Sequence, residues 1–372
     1  MKAATTDGTL NYKERFAAVA AEGHFRQSSG LWMSSIGLGS YLGGVDEFTD
    51  AAYRDAVKQA VESGCNVFDT AANYRCQRSE RNFGDAFADL FAQGLVSRDE
   101  IVVSTKGGYI PFDGKPPRGR QEMIAYIEET FIKPGVCKWD DFVQSSHCMT
   151  PAYLARQLDQ SLRNLKLDCV DIYYIHNPES QFAEVSRDEF YRRLRSAFEF
   201  LETAVADGKI SKYGTATWNG YRASLESPEH LSFERVEGTA REVAGDHHNF
   251  RAIQLPFNLA MAEAFTDDNQ PRNGHVQPFL KAAEFNGVVM ASASILQSRL
   301  SDGLSPIIGA SLKGLRTDAQ RAIQFTRSTP GIDVALVGMS DIAHVRENLE
   351  LLKIPPATVE DYMKLFDKTH RS

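Results

Sequence analysis

Four residues of types common in acid–base catalysis follow three successive β-rich stretches of the sequence. Asp69 and Tyr74 lie in the stretch DTAANY after the second, Lys106 closes the third and His176 closes the fourth. A tyrosine phenol has an ordinary pKa of about 10, and a neighbouring ammonium lowers it. We therefore expect Lys106, held in place by Asp69, to make Tyr74 a general acid that protonates a carbonyl oxygen. His176 would hydrogen-bond the same oxygen and orient it.

Each of these side chains also has an ordinary structural role when it is taken alone. An aspartate at a strand end commonly caps a loop, and a tyrosine in a loop usually packs against its neighbours. A lysine at a strand end usually points to solvent, and a histidine followed by Asn-Pro is commonly structural. The chemistry therefore depends on a fold that brings three strand ends to one place.

Eight β-rich stretches alternate with helical patterns along the chain. Most of the eight are continuous apolar runs, which is typical of parallel strands covered on both faces by helices. Between them, apolar residues recur at helical spacing, and Thr150-Pro151 and Asp207-Gly208 have the form of a helix start and a helix exit. The predicted strands span residues 34–38, 66–70, 101–106, 170–176, 210–217, 252–257, 287–293 and 333–338. This alternation favours the α/β class and a (β/α)8 TIM barrel, in which neighbouring strand ends converge on one mouth.

A long segment, residues 107–150, interrupts the alternation after strand 3. It is rich in Gly and Pro at first and contains one helix-like stretch at 121–132. In a (β/α)8 barrel such an insertion emerges at the face where active sites lie, so it is either a lid over the substrate or an excursion without a role in the site. Because no repeat or low-complexity linker is visible, we expect residues 1–372 to form one barrel domain that includes this insertion.

The composition excludes several classes of partner. The chain has 372 residues, 42% hydrophobic and 24% charged, which is ample for a large core, and its net charge of −8 gives no electrostatic reason for nucleic acid or an anionic membrane to bind. The N-terminus has no signal-peptide pattern, and five scattered cysteines show neither a CxxC pair nor metal-ligand spacing. We therefore expect a cytoplasmic protein without a metal, and the oligomeric state stays open.

The sequence resembles the aldo-keto reductase family from about residue 30 to 350. The motifs that carry the resemblance occur in order: GLGSY at 37–41, DTAANY at 69–74, SE at 79–80, STK at 104–106, DIYYIH at 171–176, GKISKYG at 208–214, QLPFN at 254–258 and VGMSDIAHVREN at 337–348. The resemblance implies an NAD(P)-dependent oxidoreductase that transfers hydride between nicotinamide and the carbonyl or alcohol of an aldehyde, ketone or sugar. It also implies that Tyr74 is the proton donor or acceptor, with Asp69, Lys106 and His176 completing the catalytic set.

The cofactor-binding residues follow from the same resemblance and not from a dinucleotide fingerprint. GLGSYLGG lacks the third glycine of GxGxxG, because that position is Leu42, and no acidic residue follows at the required distance. The resemblance places the nicotinamide near the end of strand 1, the pyrophosphate near residues 294–300 and the adenosine phosphate near residues 338–348. The implied cofactor contacts are Gly39, Ser40, Tyr41, Asp69, Thr217, Gln254, Ser294, Leu296, Arg299, Gly338, His344, Glu347 and Asn348.

Two positions depart from the family pattern. Members usually have Ser-Asn after the glycine of strand 5, where this chain has Ala216-Thr217. Many members also carry a basic residue four before the closing Asn348, where this chain has His344, although Arg346 is near enough to substitute. NADP is the cofactor expected from the family, and NAD stays an alternative.

The substrate and two other functions stay open at this point. Tyr41, Tyr74, His176 and Trp218 are the expected substrate contacts, and aromatic walls with polar neighbours suit sugars, aldehydes and aryl ketones alike. One alternative is a non-catalytic regulatory barrel that keeps the nucleotide as a ligand, which the altered Ala216-Thr217 and the glycine at 338 favour. The other is a metal-dependent barrel hydrolase, which needs clustered ligands that the adjacent pair at 247–248 does not supply.

Overall fold

The computed structural model describes residues 3–366, and a closed barrel of parallel strands lies at its centre. The strands of the chain are β1 (Phe25–Ser28), β2 (Leu31–Ser34), β3 (Ile36–Gly39), β4 (Val67–Asp69), β5 (Val102–Gly107), β6 (Val170–His176), β7 (Ile210–Ala216), β8 (Phe250–Pro256), β9 (Gln270–Arg272), β10 (His275–Gln277), β11 (Val288–Ser292) and β12 (Val334–Gly338). The barrel runs in the order β3-β4-β5-β6-β7-β8-β11-β12, and pairing of β12 with β3 closes it. This confirms the predicted (β/α)8 barrel, and all eight predicted strands are present with ends that agree within two residues.

Helices connect successive strands and cover the outside of the barrel. They are α1 (Thr6–Glu14), α2 (Glu47–Glu62), α3 (Arg78–Ala92), α4 (Arg120–Ile127), α5 (Pro151–Leu165), α6 (Arg187–Ala206), α7 (Phe233–Ala244), α8 (Glu263–Thr266), α9 (Phe279–Ala282), α10 (Pro306–Ser311), α11 (Asp318–Ser328), α12 (Ile342–Leu349) and α13 (Val359–Met363). As predicted, α5 begins at Pro151 after Thr150, and Gly208 adopts a left-handed φ of 71° after α6 ends. None of the helices in residues 3–366 combines the length and apolarity that a membrane crossing needs.

The barrel interior is a packed core and not an open channel. Val67, Val102, Ile172, Ala252 and other inward-facing strand residues form one buried cluster. Leu31 and Met33 of β2 belong to the same cluster, so the hairpin of β1 and β2 closes the end of the barrel where the strands begin. The sequence patterns did not reveal this hairpin. Because it closes that end, the opposite end is the one left open to ligands.

The insertion at 107–150 has a small hydrophobic core of its own. Its apolar side chains pack with Tyr153 of α5. The buried members of this cluster are Ile110, Ile127, Phe131, Cys137, Phe142, Cys148 and Tyr153. The predicted helical stretch at 121–132 is observed as α4, which continues to Ile132 in a wider helical turn. The insertion is therefore an ordered wall beside the barrel mouth, and its role as a lid stays a prediction.

Close packing of α3 on α5 leads to a test of the fold. A Cβ atom on Gly84 of α3 would lie 2.2 Å from the backbone oxygen of Asn164, so Gly84→Ala has to push the two helices apart. We expect it to lower the free energy of unfolding by about 1–3 kcal/mol in urea titrations. Gly238→Ala in α7 is the matched control, because nothing lies within 4 Å of its added methyl group. The control should gain up to about 1 kcal/mol from helix propensity, and equal stability of the two variants would contradict the packing argument.

Candidate active site

A cavity of about 380 Å³ opens at the carboxyl ends of the barrel strands. Many residues proposed from the sequence line it, although they are spread over three hundred positions of the chain. The lining residues predicted from the sequence are Gly39, Ser40, Tyr41, Asp69, Tyr74, His176, Thr217, Trp218, Gln254, Ser294 and Gly338. The fold therefore brings the proposed catalytic, substrate and nicotinamide contacts to one mouth.

A buried ion pair joins Asp69 at the end of β4 to Lys106 in β5. The Lys106 Nζ atom lies 2.6 Å from Asp69 Oδ2 and donates a second hydrogen bond of 2.8 Å to the backbone oxygen of Thr70. The other carboxylate oxygen of Asp69 accepts from Ser104 Oγ at 2.7 Å and from Gln254 Nε2 at 2.9 Å. Burial lowers the pKa of Lys106, and the charge of Asp69 opposes that shift without cancelling it. Asp69 thus anchors Lys106 as the sequence predicted.

Tyr74 lies beside this ion pair, and His176 packs against Tyr74. The Lys106 Nζ atom is 5.0 Å from the centroid of the Tyr74 ring. The Tyr74 and His176 rings meet edge to face with their centroids 5.7 Å apart, and Tyr41 packs edge-on against Tyr74 at 5.0 Å. The four side chains proposed for catalysis are therefore neighbours in space.

The electrostatics of Tyr74 differ from the expectation. Burial, together with the negative charge of Asp69, raises the pKa of the Tyr74 phenol well above its ordinary value. The expected lowering of the Tyr74 pKa is wrong for this structure, because burial raises it and the Lys106 ammonium, paired with Asp69 at 2.6 Å, is offset in part and does not reverse that shift. The phenol is consequently protonated at neutral pH, which is the state that can donate a proton to a carbonyl oxygen.

His176 is held as a neutral imidazole. Burial, then the positive charge of Lys106, moves its pKa well below the ordinary value. Its backbone oxygen accepts a 2.7 Å hydrogen bond from Nε2 of His147, and the side chain of Gln181 donates to Nδ1 of His147 at 2.8 Å. The ring of Tyr109 packs edge-on against His176 with centroids 5.1 Å apart. Since His147 and Tyr109 belong to the insertion, that segment helps to place His176.

The end of the cavity proposed for the nicotinamide offers polar groups suited to a carboxamide. Within residues 3–366, the buried Thr217 Oγ1 atom has no hydrogen-bond partner, and Thr217 lines the cavity beside Gln254. A buried hydroxyl without a partner is costly unless a ligand satisfies it. Ala216 contributes no side-chain donor. Thr217 is therefore the residue whose side chain fits a hydrogen bond to a carboxamide in place of the usual Ser-Asn pair.

Five of the residues proposed for the pyrophosphate and the adenosine phosphate do not line the cavity, whereas Ser294 and Gly338 do. Arg299 and His344 are exposed, and Leu296 lies in a loop where it adopts a left-handed φ of 45°. The Glu347 carboxylate accepts a 2.8 Å hydrogen bond from the Thr317 hydroxyl, and Asn348 is buried. These five positions lie beyond the cavity, so their cofactor contacts stay predictions.

The start of α12 also differs from the expected phosphate site. The Asp341 side chain caps this helix by accepting from the backbone N–H of Ala343 at 2.7 Å, so a carboxylate occupies part of the site proposed for phosphate. Arg346 donates to Gln59 Oε1 at 2.8 Å. A bound phosphate would therefore have to displace or share these contacts.

Several residues that shape the cavity were missed in the sequence. Asn73, Tyr109 and Asn177 line it, and two of them adjoin residues that had been named, so position alone could have suggested them. Glu179 was missed as well, although it follows His176 in HNPE. Its Oε1 atom accepts from the backbone N–H of Trp218 at 2.6 Å and from the next two amides at 3.0 and 3.2 Å. This buried carboxylate shapes the loop that carries Trp218.

The Aldo/keto reductase family model matches residues 35–236 of the chain, which is more than half of its length. The chain belongs to the aldo/keto reductase family. This confirms the resemblance and the oxidoreductase class expected from it. Across residues 3–366, no group of three or more His, Cys, Asp or Glu side chains lies close enough together to hold a metal ion.

Individual relatives cover nearly the whole chain. NADPH-dependent codeinone reductase 1-5 of Papaver somniferum is 30% identical over 346 residues, which cover 91% of this chain and 83% of the relative. The 6-dehydroglucose reductase of Novosphingobium aromaticivorans is 23% identical over 338 residues, 89% of this chain and 90% of the relative. A Klebsiella pneumoniae aldo/keto reductase solved with NADP and acetate superposes with a TM-score of 0.60 at 22% identity, and 93% of this chain and 96% of that chain are covered.

The neutral histidines at the site lead to a pH-dependent stability. Burial is the main cause that lowers the pKa of His147 to about 4, whereas a histidine in the unfolded chain titrates near 6.5. Between these two pH values, the unfolded chain therefore binds a proton at this histidine that the native protein does not. As the pH is lowered from about 6.5 to 4, we expect the free energy of unfolding to fall, by up to about 1.4 kcal/mol per pH unit for each such histidine.

Chemical denaturation at a series of pH values measures this slope. His147→Gln removes one titrating group. Its free energy of unfolding should therefore change less steeply with pH than that of the wild type over the same range, and the difference should correspond to the uptake of about one proton. A slope unchanged by His147→Gln would contradict the assignment.

Proposed function

We propose that the protein is an NADP-dependent oxidoreductase that transfers hydride between nicotinamide and the carbonyl or alcohol of a small aldehyde, ketone or sugar, with Tyr74 as general acid and base. The observation that carries the proposal is the shared cavity. A protonated phenol, a neutral imidazole and a buried lysine–aspartate pair all meet at its base. Such a set suits reversible proton transfer at a carbonyl oxygen.

In the proposed mechanism the carbonyl oxygen lies between Tyr74 and His176. A nicotinamide cofactor, when bound, would supply or accept the hydride. In reduction, the Tyr74 phenol donates its proton to the oxygen, and the imidazole of His176 donates a hydrogen bond that orients it. The ammonium of Lys106, 5.0 Å from the Tyr74 ring centroid, stabilises the phenolate that remains, and Asp69 holds that ammonium in place. Oxidation of an alcohol reverses these proton movements.

The cofactor assignment rests on the polar groups at the nicotinamide end and on two relatives. Thr217 and Gln254 would hold the carboxamide, with Ser294 and Arg299 on the side of the pyrophosphate. The Papaver relative is named as NADPH-dependent, and the Klebsiella structure contains NADP. Arg346 and His344 on α12 are the residues proposed to meet the 2′-phosphate. NAD is the alternative cofactor.

The proposed substrate is a small polar carbonyl compound or the corresponding alcohol. Tyr41 and Trp218, which are 56% and 41% exposed, offer aromatic faces at the cavity mouth. Asn73 and Asn177 add amide groups to the lining. A relative named as a 6-dehydroglucose reductase supports sugars among the candidates. The insertion at 107–150, which supplies Tyr109, would act as a lid.

A cytoplasmic location is also part of the proposal, because the five cysteines are scattered along the sequence in no pattern typical of a secreted disulfide framework.

A non-catalytic nucleotide-binding barrel is the second candidate. Ala216, which offers no side-chain donor to the carboxamide, and the Asp341 cap at the proposed phosphate site favour it. The two candidates differ in one measurable property. The enzyme transfers hydride to some member of a carbonyl panel, whereas the regulatory barrel binds NADPH and transfers hydride to none.

Tyr74→Phe tests the role of the phenol. Removal of the proton donor should lower kcat by at least about 100-fold for the best substrate in a panel of aldehydes, aryl ketones and aldoses. NADPH binding, followed by fluorescence titration, should be unchanged because the ring itself is kept. Tyr191→Phe on α6, outside the cavity lining, is the control and should retain kcat. Full activity of Tyr74→Phe would defeat the proposal.

Arg346→Gln tests the preference for NADP. If Arg346 meets the 2′-phosphate, its loss should raise the Kd for NADPH by about tenfold or more and leave the Kd for NADH unchanged. Arg195→Gln on α6 is the matched control, since it removes one surface arginine away from the cavity. Equal weakening of both nucleotides by Arg346→Gln would place that residue near a group that the two cofactors share.

A further inference from the structure

The chain adopts an unusual backbone directly after Tyr74. Arg75, Cys76 and Gln77 are left-handed, with φ values of 48°, 56° and 69°. None of the three is glycine, and a Cβ atom in this region crowds the following carbonyl oxygen. Such conformations persist only where the surroundings enforce them, and they concentrate at functional sites. The contacts that enforce this turn are therefore of interest for the placement of Tyr74.

The Arg75 side chain ties the turn to the loop before α2. Its guanidinium donates to the backbone oxygen of Gly44 through Nε at 2.7 Å and to Asp50 Oδ1 through Nη2 at 2.5 Å. The Arg75 side chain is 2% exposed and the Asp50 side chain 13%, so the ion pair is largely shielded from water. The same loop begins beside Tyr41, whose ring packs against Tyr74.

Asp50 on α2 is the centre of these contacts. Its carboxylate accepts from Arg75, from Arg78 at the start of α3 and from Asn82 Nδ2 at 2.7 Å. Burial opposes the ionised form, but hydrogen bonds from Arg78, Asn82 and Arg75 outweigh it and hold the pKa of Asp50 below its usual value. The carboxylate is thus ionised at neutral pH and pairs with two guanidinium groups at once.

The opposite side of the turn is tied to the insertion. Gln77 Nε2 donates to the backbone oxygen of Pro111 at 2.9 Å, and the backbone N–H of Gly114 donates to the oxygen of Cys76 at 2.9 Å. Asn164 Nδ2 donates to Gln77 Oε1 at 3.1 Å. The left-handed turn therefore joins the Tyr41 side and the insertion side of the cavity.

We propose that Asp50 is a positioning residue for Tyr74, acting through Arg75 to hold the left-handed turn that orients the phenol in the cavity. This inference rests on the proposed function, because it assigns Asp50 to the placement of the proposed proton donor. Asp50 itself does not line the cavity. Its effect on the reaction is therefore expected in kcat and in the mobility of the turn, and not in the affinity for NADPH.

Asp50→Asn tests the inference, because it keeps the shape of the side chain and removes its charge. We expect kcat to fall by roughly 10- to 100-fold through misplacement of the phenol, with the Kd for NADPH within about twofold of the wild type. Hydrogen exchange of the cofactor-free protein should become faster at the amides of residues 74–78. Arg75→Lys keeps a cation opposite Asp50 but lacks the second donor nitrogen that bonds the Gly44 oxygen. Its kcat and its exchange rate at residues 74–78 should therefore lie between those of the wild type and Asp50→Asn.

Glu237→Gln on α7 is the matched control. Glu237 is also buried and also lies within ion-pair distance of two arginines, Arg272 at 2.6 Å and Arg241 at 3.6 Å, outside the cavity lining. It should lose thermal stability as Asp50→Asn does, while kcat and the exchange at residues 74–78 stay at wild-type values. Loss of stability without loss of kcat in Asp50→Asn would overturn the inference.

A glycine at the turn tests whether the ion pair offsets the left-handed conformation. Glycine adopts a φ of 56° without strain, so adding Cys76→Gly to Asp50→Asn should restore part of the lost kcat, at least about threefold. A double variant no faster than Asp50→Asn would contradict the role given to the turn. Wild type and Tyr74→Phe are measured alongside: equal activity of these two defeats the proposed function, whereas an inactive Tyr74→Phe beside a fully active Asp50→Asn defeats only the inference on Asp50.

Discussion

The buried ion pair between Lys106 and Asp69 is the constraint on which the site depends. Removing an ammonium and a carboxylate from water costs several kcal/mol for each ion, and their attraction compensates only when further hydrogen bonds satisfy both groups. Here Thr70 supplies an acceptor to Lys106, and Ser104 and Gln254 supply donors to Asp69. Loss of one partner would leave an unpaired buried charge, a change of about 3–5 kcal/mol. The pair is therefore favoured at a place where several strand ends supply these partners together.

A closed parallel barrel provides such a place. β4 and β5 are neighbours, so Asp69 and Lys106 reach each other directly, and β8 contributes Gln254 from across the barrel mouth. The β1–β2 hairpin fills the opposite end of the barrel. As a result the polar groups face one cavity, and the same burial that keeps the ion pair dry also sets the protonation of Tyr74 and His176.

The cavity walls are held by buried polar side chains outside the group proposed to react. Glu179 shapes the loop of Trp218 through three backbone N–H groups, and His147 supports the backbone of His176 from the insertion. Asp50 has a comparable role if it positions Tyr74 through Arg75. Each of them joins segments that are distant in sequence, so the shape of the cavity depends on the packed barrel as a whole.

The sequence by itself determined the order of strands and helices, because continuous apolar runs and helical spacing are local signals. It also led to Asp69, Tyr74, Lys106 and His176 as candidates for catalysis, since their positions at strand ends follow from a parallel barrel. The motifs that these residues belong to were enough to indicate the family. Nearly the whole barrel and the residues at the base of the cavity could therefore be predicted from local patterns.

Only the tertiary structure decided the protonation of the site and its outer walls. The pKa of Tyr74 follows from burial and from the charge of Asp69, and neither can be read from spacing along the chain. Tyr109, Glu179 and the turn held by Asp50 depend on contacts between segments far apart in sequence, for which no local pattern exists. Periodicity reports which face of an element is buried, whereas the partner of a buried polar group is set by three-dimensional packing.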